Sequence, residues 1–154
     1  MEVRGPSSTL TTAALFIAGV LVFGYGVYSY QAQSTALENS VEINATVTAK
    51  NIDADPGRRG TDYIPQVEYS YSFEDNEYTS DSVYPGPSSP SFGTERAARQ
   101  EIQNYTVGEN TTAYLNSENP SEAFLKNEST NTPFIIMIIG AALASFSIYS
   151  LLKN

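Results

Sequence analysis

The chain has 154 residues, enough for one ordinary domain or for a smaller domain with membrane anchors. It contains no Cys, His or Trp, which excludes disulfides, thiol nucleophiles and thiolate metal sites and removes the commonest general base and metal ligand. With 17 acidic against 8 basic residues, a net of −9, it lacks the basic footprint of a nucleic-acid binder.

Two apolar blocks frame the chain. The first, LTTAALFIAGVLVFGYGVYSY, covers residues 10–30 and holds no charge. The second, PFIIMIIGAALASFSIYSLL, covers residues 133–152 and is also uncharged. A helix rises ~1.5 Å per residue, so about 20 residues cross a ~30 Å hydrocarbon core. Backbone groups in lipid bond internally, so both blocks are expected to be helical spans. A buried core helix is the alternative for either block. The first could also be a cleaved signal peptide, with Arg4 as its charged region and Ala32-Gln-Ser34 as a small-x-small site. Its apolar run is longer than the ~7–15 residues such peptides use.

Tyr25, Tyr28 and Tyr30 close the first block, Phe134 opens the second, and Tyr149 lies near its far end, the pattern of an aromatic belt. Ala14 with Ala18, Gly140 with Ala144, and Ala141 with Ser145 are small residues four apart. They are expected to let the helices approach closely, unless they only reflect how common Ala and Gly are in spans.

The expected layout is a tail at 1–9, spans at 10–30 and 133–152, a domain at 31–132 and a tail at 153–154. The domain carries six basic and sixteen acidic residues, a net of −10. Arg4 and Lys153 sit on the short tails, so the positive-inside rule puts both termini in the cytoplasm and the domain outside. Four Asn-x-Ser/Thr sequons, at Asn44, Asn104, Asn110 and Asn127, all fall in the domain and point the same way. Spread-out acidity with only three Lys resembles a halophilic archaeal protein facing brine. An ordinary acidic extracellular domain is the other reading.

The domain reads as mainly β. Val41, Ile43, Ala45, Val47 and Ala49 alternate with polar residues, as a half-buried strand does. Asp53 to Asp62 reads as a turn-rich loop. Val67, Tyr69, Tyr71 and Phe73 form the clearest alternation, with Glu68, Ser70 and Ser72 on the other face. Glu74 to Glu77 is a polar turn, and Tyr78 to Tyr84 a hairpin partner. The Pro-rich stretch Pro85–Ser91 is a loop, after which Glu95 to Tyr105 reads as a short helix capped by Thr94, with Ala98, Ile102 and Tyr105 inward. Thr112 to Leu115 is a further strand, and Asn119-Pro120 begins a turn into Ala123-Phe124-Leu125. The expected class is α+β: two membrane helices flanking a small antiparallel β-domain with one short helix.

Tyr63-Ile-Pro65-Gln-Val67-Glu-Tyr69-Ser-Tyr71, Tyr78, Tyr105-Thr-Val-Gly108 and the segment Ala113 to Leu125 together resemble the family catalogued as domain of unknown function 3592. The resemblance covers about Val41 to Leu125 and implies two spans around a β-rich domain. Ser117 stands where the family's closing segment usually has its first Pro, which puts that turn in question. The resemblance implies no catalytic residues.

Chemistry-bearing clusters are few. Asp53, Asp55 and Asp62 flank Gly57, but a calcium loop counted from Asp53 has Arg58 at position six and Ile64 at position twelve, so the motif fails. Glu74, Asp75 and Glu77 sit at a hairpin tip, where carboxylates are not held apart in a cleft. Arg58-Arg59 could touch lipid phosphates if their loop reached the membrane. Arg96 and Arg99 are spaced to pair with Glu95 or Glu101. The Tyr row reads as core, or as a partner-binding face if the sheet is open. No phosphate-cradling or nucleophile-elbow motif occurs.

The expectation is therefore a non-catalytic, membrane-anchored interaction or envelope-associated module in the cell membrane, with no catalytic, cofactor-binding or metal residues assigned. Its expected partners are the lipid bilayer and an unidentified protein, with no nucleic acid and no small-molecule substrate identified. The alternatives are an accessory subunit of a transport or secretion complex, and a carboxylate or Ser hydrolase.

Overall fold

The computed structural model describes residues 9–153; Arg4 and its tail lie outside the described residues. The elements are α1 (Thr9–Glu38), β1 (Ser40–Gly57), β2 (Gly60–Phe73), β3 (Asn76–Ser80), α2 (Glu95–Glu101), β4 (Asn110–Asn116), β5 (Asn119–Phe124) and α3 (Thr132–Lys153). They form two compact units, one of the long helices and one spanning Ala32–Thr130.

In the helical unit, Thr12, Gly19 and Gly26 recur every seven residues on the buried side of α1, and Pro133, Gly140 and Ser147 do so on α3. The seven-residue repeat keeps one face of each helix on its neighbour. The backbones touch there: a Cβ on Gly19 would lie 2.7 Å from the Ala144 amide nitrogen, and one on Gly26 would lie 2.9 Å from that of Met137. Tyr30 and Phe134 meet with ring centroids 5.1 Å apart. The expected four-residue pairs are corrected in part. Gly140 and Ala144 line the contact, but Ala14, Ala18, Ala141 and Ser145 are exposed. The seven-residue glycine spacing, not the four-residue alanine spacing, selects the touching face. α1 also continues two turns past its apolar block, to Glu38.

The other unit is one antiparallel sheet in the order β3-β2-β1-β4-β5. It curls until its edges meet. The Ser80 hydroxyl of β3 donates to the Ala123 carbonyl of β5 at 2.8 Å. Beyond these strands, the amides of Leu125 and Lys126 donate to the Val83 carbonyl at 3.2 and 2.8 Å. Period-2 alternation sends Ala45, Val47, Val67, Tyr69, Tyr71, Ala113, Leu115 and Ala123 inward, where they pack with Ile102, Val83 and Leu125.

The expected loop at Asp53–Asp62 is instead the far end of a long hairpin. β1 and β2 stay in register from Ile52↔Pro65 to Gly57↔Gly60, and only Arg58 and Arg59 reverse the chain. Strand alternation points the nitrogen of Pro56 away from β2, so no ladder bond is lost there. β3 ends at Ser80 rather than Tyr84, although Val83 and Tyr84 remain buried. β5 begins at Asn119, directly after a tight turn. There the Asn116 side chain accepts from the Glu118 amide at 2.9 Å, which closes the turn around Ser117.

α2 is shorter than expected. Thr94 caps its start, accepting from the Ala97 amide at 3.3 Å. Lys50 donates to the carbonyls of Ile102 (3.2 Å) and Tyr105 (2.9 Å), so the chain leaves the helix without unpaired acceptors there. Ala98 and Ile102 are buried and Tyr105 half-buried against the sheet.

Candidate functional site

The clusters singled out by sequence are dispersed on the surface. Asp55 faces Asp62 across the hairpin, while Asp53 faces Ile64, and all three carboxylates are exposed. Among the described residues no group of three or more acidic side chains converges to hold a metal ion. Arg58 and Arg59 occupy the hairpin tip, at the opposite end of β1 from Ser40, where the strand follows α1. Glu74 and Asp75 form the β2–β3 turn with φ of 48° and 64°. Arg99 binds Glu95, with its Nε 2.9 Å from Oε1. The Tyr row is core: Tyr69 is 0% and Tyr71 4% exposed. Tyr69 donates to the Ser82 carbonyl at 3.0 Å and Tyr71 to that of Pro120 at 2.7 Å.

Sequence reasoning missed two polar clusters. In one, Glu101 at the end of α2 accepts from the Tyr84 hydroxyl at 2.5 Å and from Lys126. Lys126 also lies 5.1 Å from the Tyr84 ring centroid, a cation–π distance. These hydrogen bonds from Lys126 and Tyr84 hold the Glu101 carboxyl below its ordinary pKa, and burial, then Glu101, pushes the Tyr84 phenol above its own. The trio fastens α2 to the segments after β3 and β5.

In the other, the Gln33 carboxamide, 3% exposed, pairs with the backbone of Thr130. A glutamine just past an apolar block and a threonine in a loop carry no local signal that they meet.

The described fold defines a class: two helices long and apolar enough to cross a membrane, by length and composition, flanking a small curled antiparallel sheet with one short helix. Residues 42–130 match the family model Domain of unknown function (DUF3592), and the chain belongs to that family. No curated protein matches the chain.

Proposed function

We propose that the protein is a non-catalytic interaction module, anchored in the cell membrane by α1 and α3, with its β-domain outside the cytoplasm and facing a salt-rich medium. The observation that supports this most is where apolar surface is exposed. Among the described residues, twenty large apolar or aromatic side chains are exposed, and all but Val41 and Val107 of these lie on the two helices. Water would not tolerate so continuous an apolar surface; hydrocarbon would. The β-domain, by contrast, buries its apolar side chains and presents carboxylates, hydroxyls and amides.

Sidedness rests on Arg4, Lys153 and the four sequons, and the brine reading on the domain's net charge of −10. The domain acts through a protein partner in the envelope. Purification of the full chain from native membranes should bring down one chain in stoichiometric amount. Replacing residues 40–125 with an unrelated domain should release it. A partner retained by the helices alone would favour an accessory subunit of a transport complex instead.

A further inference from the structure

One edge of the sheet is left open. β4 pairs with β1 only as far as Thr46↔Asn110, and the last bonds on that side join Val47 to Gly108 and Glu109. From there β1 runs on to Gly57 with β2 as its one strand neighbour. Tyr63 of β2 donates its N–H to the Phe92 carbonyl at 2.8 Å and accepts from the Phe92 amide at 2.9 Å, so both its backbone groups point away from β1. Ala54, its partner in register, therefore turns its own N–H and C=O away from β2, and by alternation so does Ile52. Opposite Ile52 stands Pro65, which has no N–H to give. Among the described residues no hydrogen bond reaches the backbone of Ile52 or Ala54 from the open side.

The side chains along this edge are selective. Asp53 and Asp55 stand on one face, and Ile52, Ala54 and Pro56 on the other. Both carboxylates are exposed, and Asp55 already lies opposite Asp62, a like-charge pair. A second copy paired edge to edge would bring further aspartates alongside and would meet Pro56, which offers no donor. A strand with Lys or Arg on one face would instead set its Cβ atoms ~4.5–5.5 Å from those of the aspartates. Its other face would meet Ile52 and Ala54, which suits Val or Ile.

We infer that the open edge of β1 at Ile52–Pro56 takes up an extended peptide of a protein partner in which basic and β-branched apolar residues alternate. The backbone ladder supplies affinity, and the two aspartates select the sequence. The acidic surplus of the domain draws such a segment in from solution. The inference rests on the interaction-module reading and gives the partner its chemistry. A synthetic peptide tests it, so a failure strikes this edge alone, while the co-purified chain decides the module reading.

The probe is a fluorescent, end-blocked Lys-Val-Lys-Val-Lys-Val-Lys peptide, titrated by anisotropy against the full chain in phosphatidylcholine nanodiscs, with empty discs as the blank. The titration is run at about 0.15 M salt, where the Debye length is ~8 Å and diffuse attraction is screened. The peptide should bind saturably. The same peptide N-methylated along its backbone keeps charge and side chains but no N–H, and it should bind about tenfold more weakly, as should Glu-Val-Glu-Val-Glu-Val-Glu. Hydrogen exchange at the Ile52 and Ala54 amides should slow on binding, a measurement that needs no variant. Ala54→Pro removes an outward N–H without touching the ladder to β2 and should weaken binding about tenfold, and Asp55→Lys should do the same. Glu118→Lys, exposed in the β4–β5 turn, makes the same charge change elsewhere and should leave binding within about twofold. Circular dichroism confirms that each variant is folded. No saturable binding, equal binding of the methylated or the acidic peptide, indifference to Ala54→Pro, or unchanged exchange at Ile52 and Ala54 would each overturn the inference. Protection of those amides before any peptide is added, in step with protein concentration, would give the edge to a second copy and overturn it as well.

Discussion

Gln33 and Thr130, 97 residues apart, close the β-domain at the point where the chain enters and leaves it. The Thr130 amide donates to the Gln33 side-chain oxygen at 2.7 Å, and the Gln33 nitrogen donates to the Thr130 carbonyl at 3.3 Å. Gly86, at φ +85°, packs on this pair: a Cβ there would sit 3.3 Å from the Gln33 backbone. Gln33→Leu keeps the bulk but strands the Thr130 amide, which should cost about 1–3 kcal/mol. Gly86→Ala should destabilise too, because a side chain at that φ is strained and the space is taken. Thermal melts check both, and hydrogen exchange at the Thr130 amide should accelerate in Gln33→Leu. Unchanged exchange there would mean the clamp does not hold the domain closed.

The strand Gly60–Phe73 sorts its side chains by face, and two substitutions one residue apart should differ sharply. Tyr71→Ala empties a buried ring position and removes the bond to Pro120, for about 3–5 kcal/mol. Ser70→Ala, on the outer face, should change stability by about 0.5 kcal/mol or less. Denaturant melts of the two in matched high salt decide this. Similar effects from both would contradict the assigned faces.

The turn between β2 and β3 is conformationally costly. Glu74 and Asp75 both have positive φ, the geometry of a type I′ hairpin turn, which favours Asn-Gly. Glu74→Asn with Asp75→Gly should therefore stabilise the domain by about 1 kcal/mol. A lower denaturation midpoint for the double variant would show that the two carboxylates contribute more than the strain costs.

Much of this architecture is legible in the sequence because it is written locally. The apolar blocks give the long helices, and the alternation Val67-Glu68-Tyr69-Ser70-Tyr71 gives a strand with its inward face. Thr94 marks the start of α2. What could not be read depends on distant partners. Nothing near Ser80 announces that it will meet Ala123, and nothing near Glu101 announces Lys126. The stretch Asp53–Asp62 has loop composition, yet cross-strand register carries it as a hairpin.

Stability should be flat at neutral pH and fall at both extremes. Hydrogen bonds from Lys126 and Tyr84 lower the Glu101 pKa from 4.5. Its contribution is present above the unfolded value and lost as pH falls through the lower folded one. Burial raises the phenols of Tyr69, Tyr71, Tyr84 and Tyr105 above 10.0. Their contribution is complete below pH 10 and lost as pH rises through the folded values. Melting temperatures across pH should show both limbs, and Glu101→Gln should flatten the acid one. An acid limb unchanged in that variant would place its origin in other carboxylates.

Membrane anchoring with the β-domain outside is tested most directly by site-specific labelling. The native chain has no Cys, so single reporters need no cysteine-free background. One reporter replaces Asp75, exposed at the β2–β3 turn, and another replaces Ser7 in the N-terminal tail. In intact cells an impermeant maleimide should label the Asp75→Cys chain, while the Ser7→Cys chain should react only after the membrane is permeabilised. Labelling at position 7 with protection at position 75 would reverse the topology, and equal labelling of both in a carbonate-soluble fraction would remove the membrane anchor altogether.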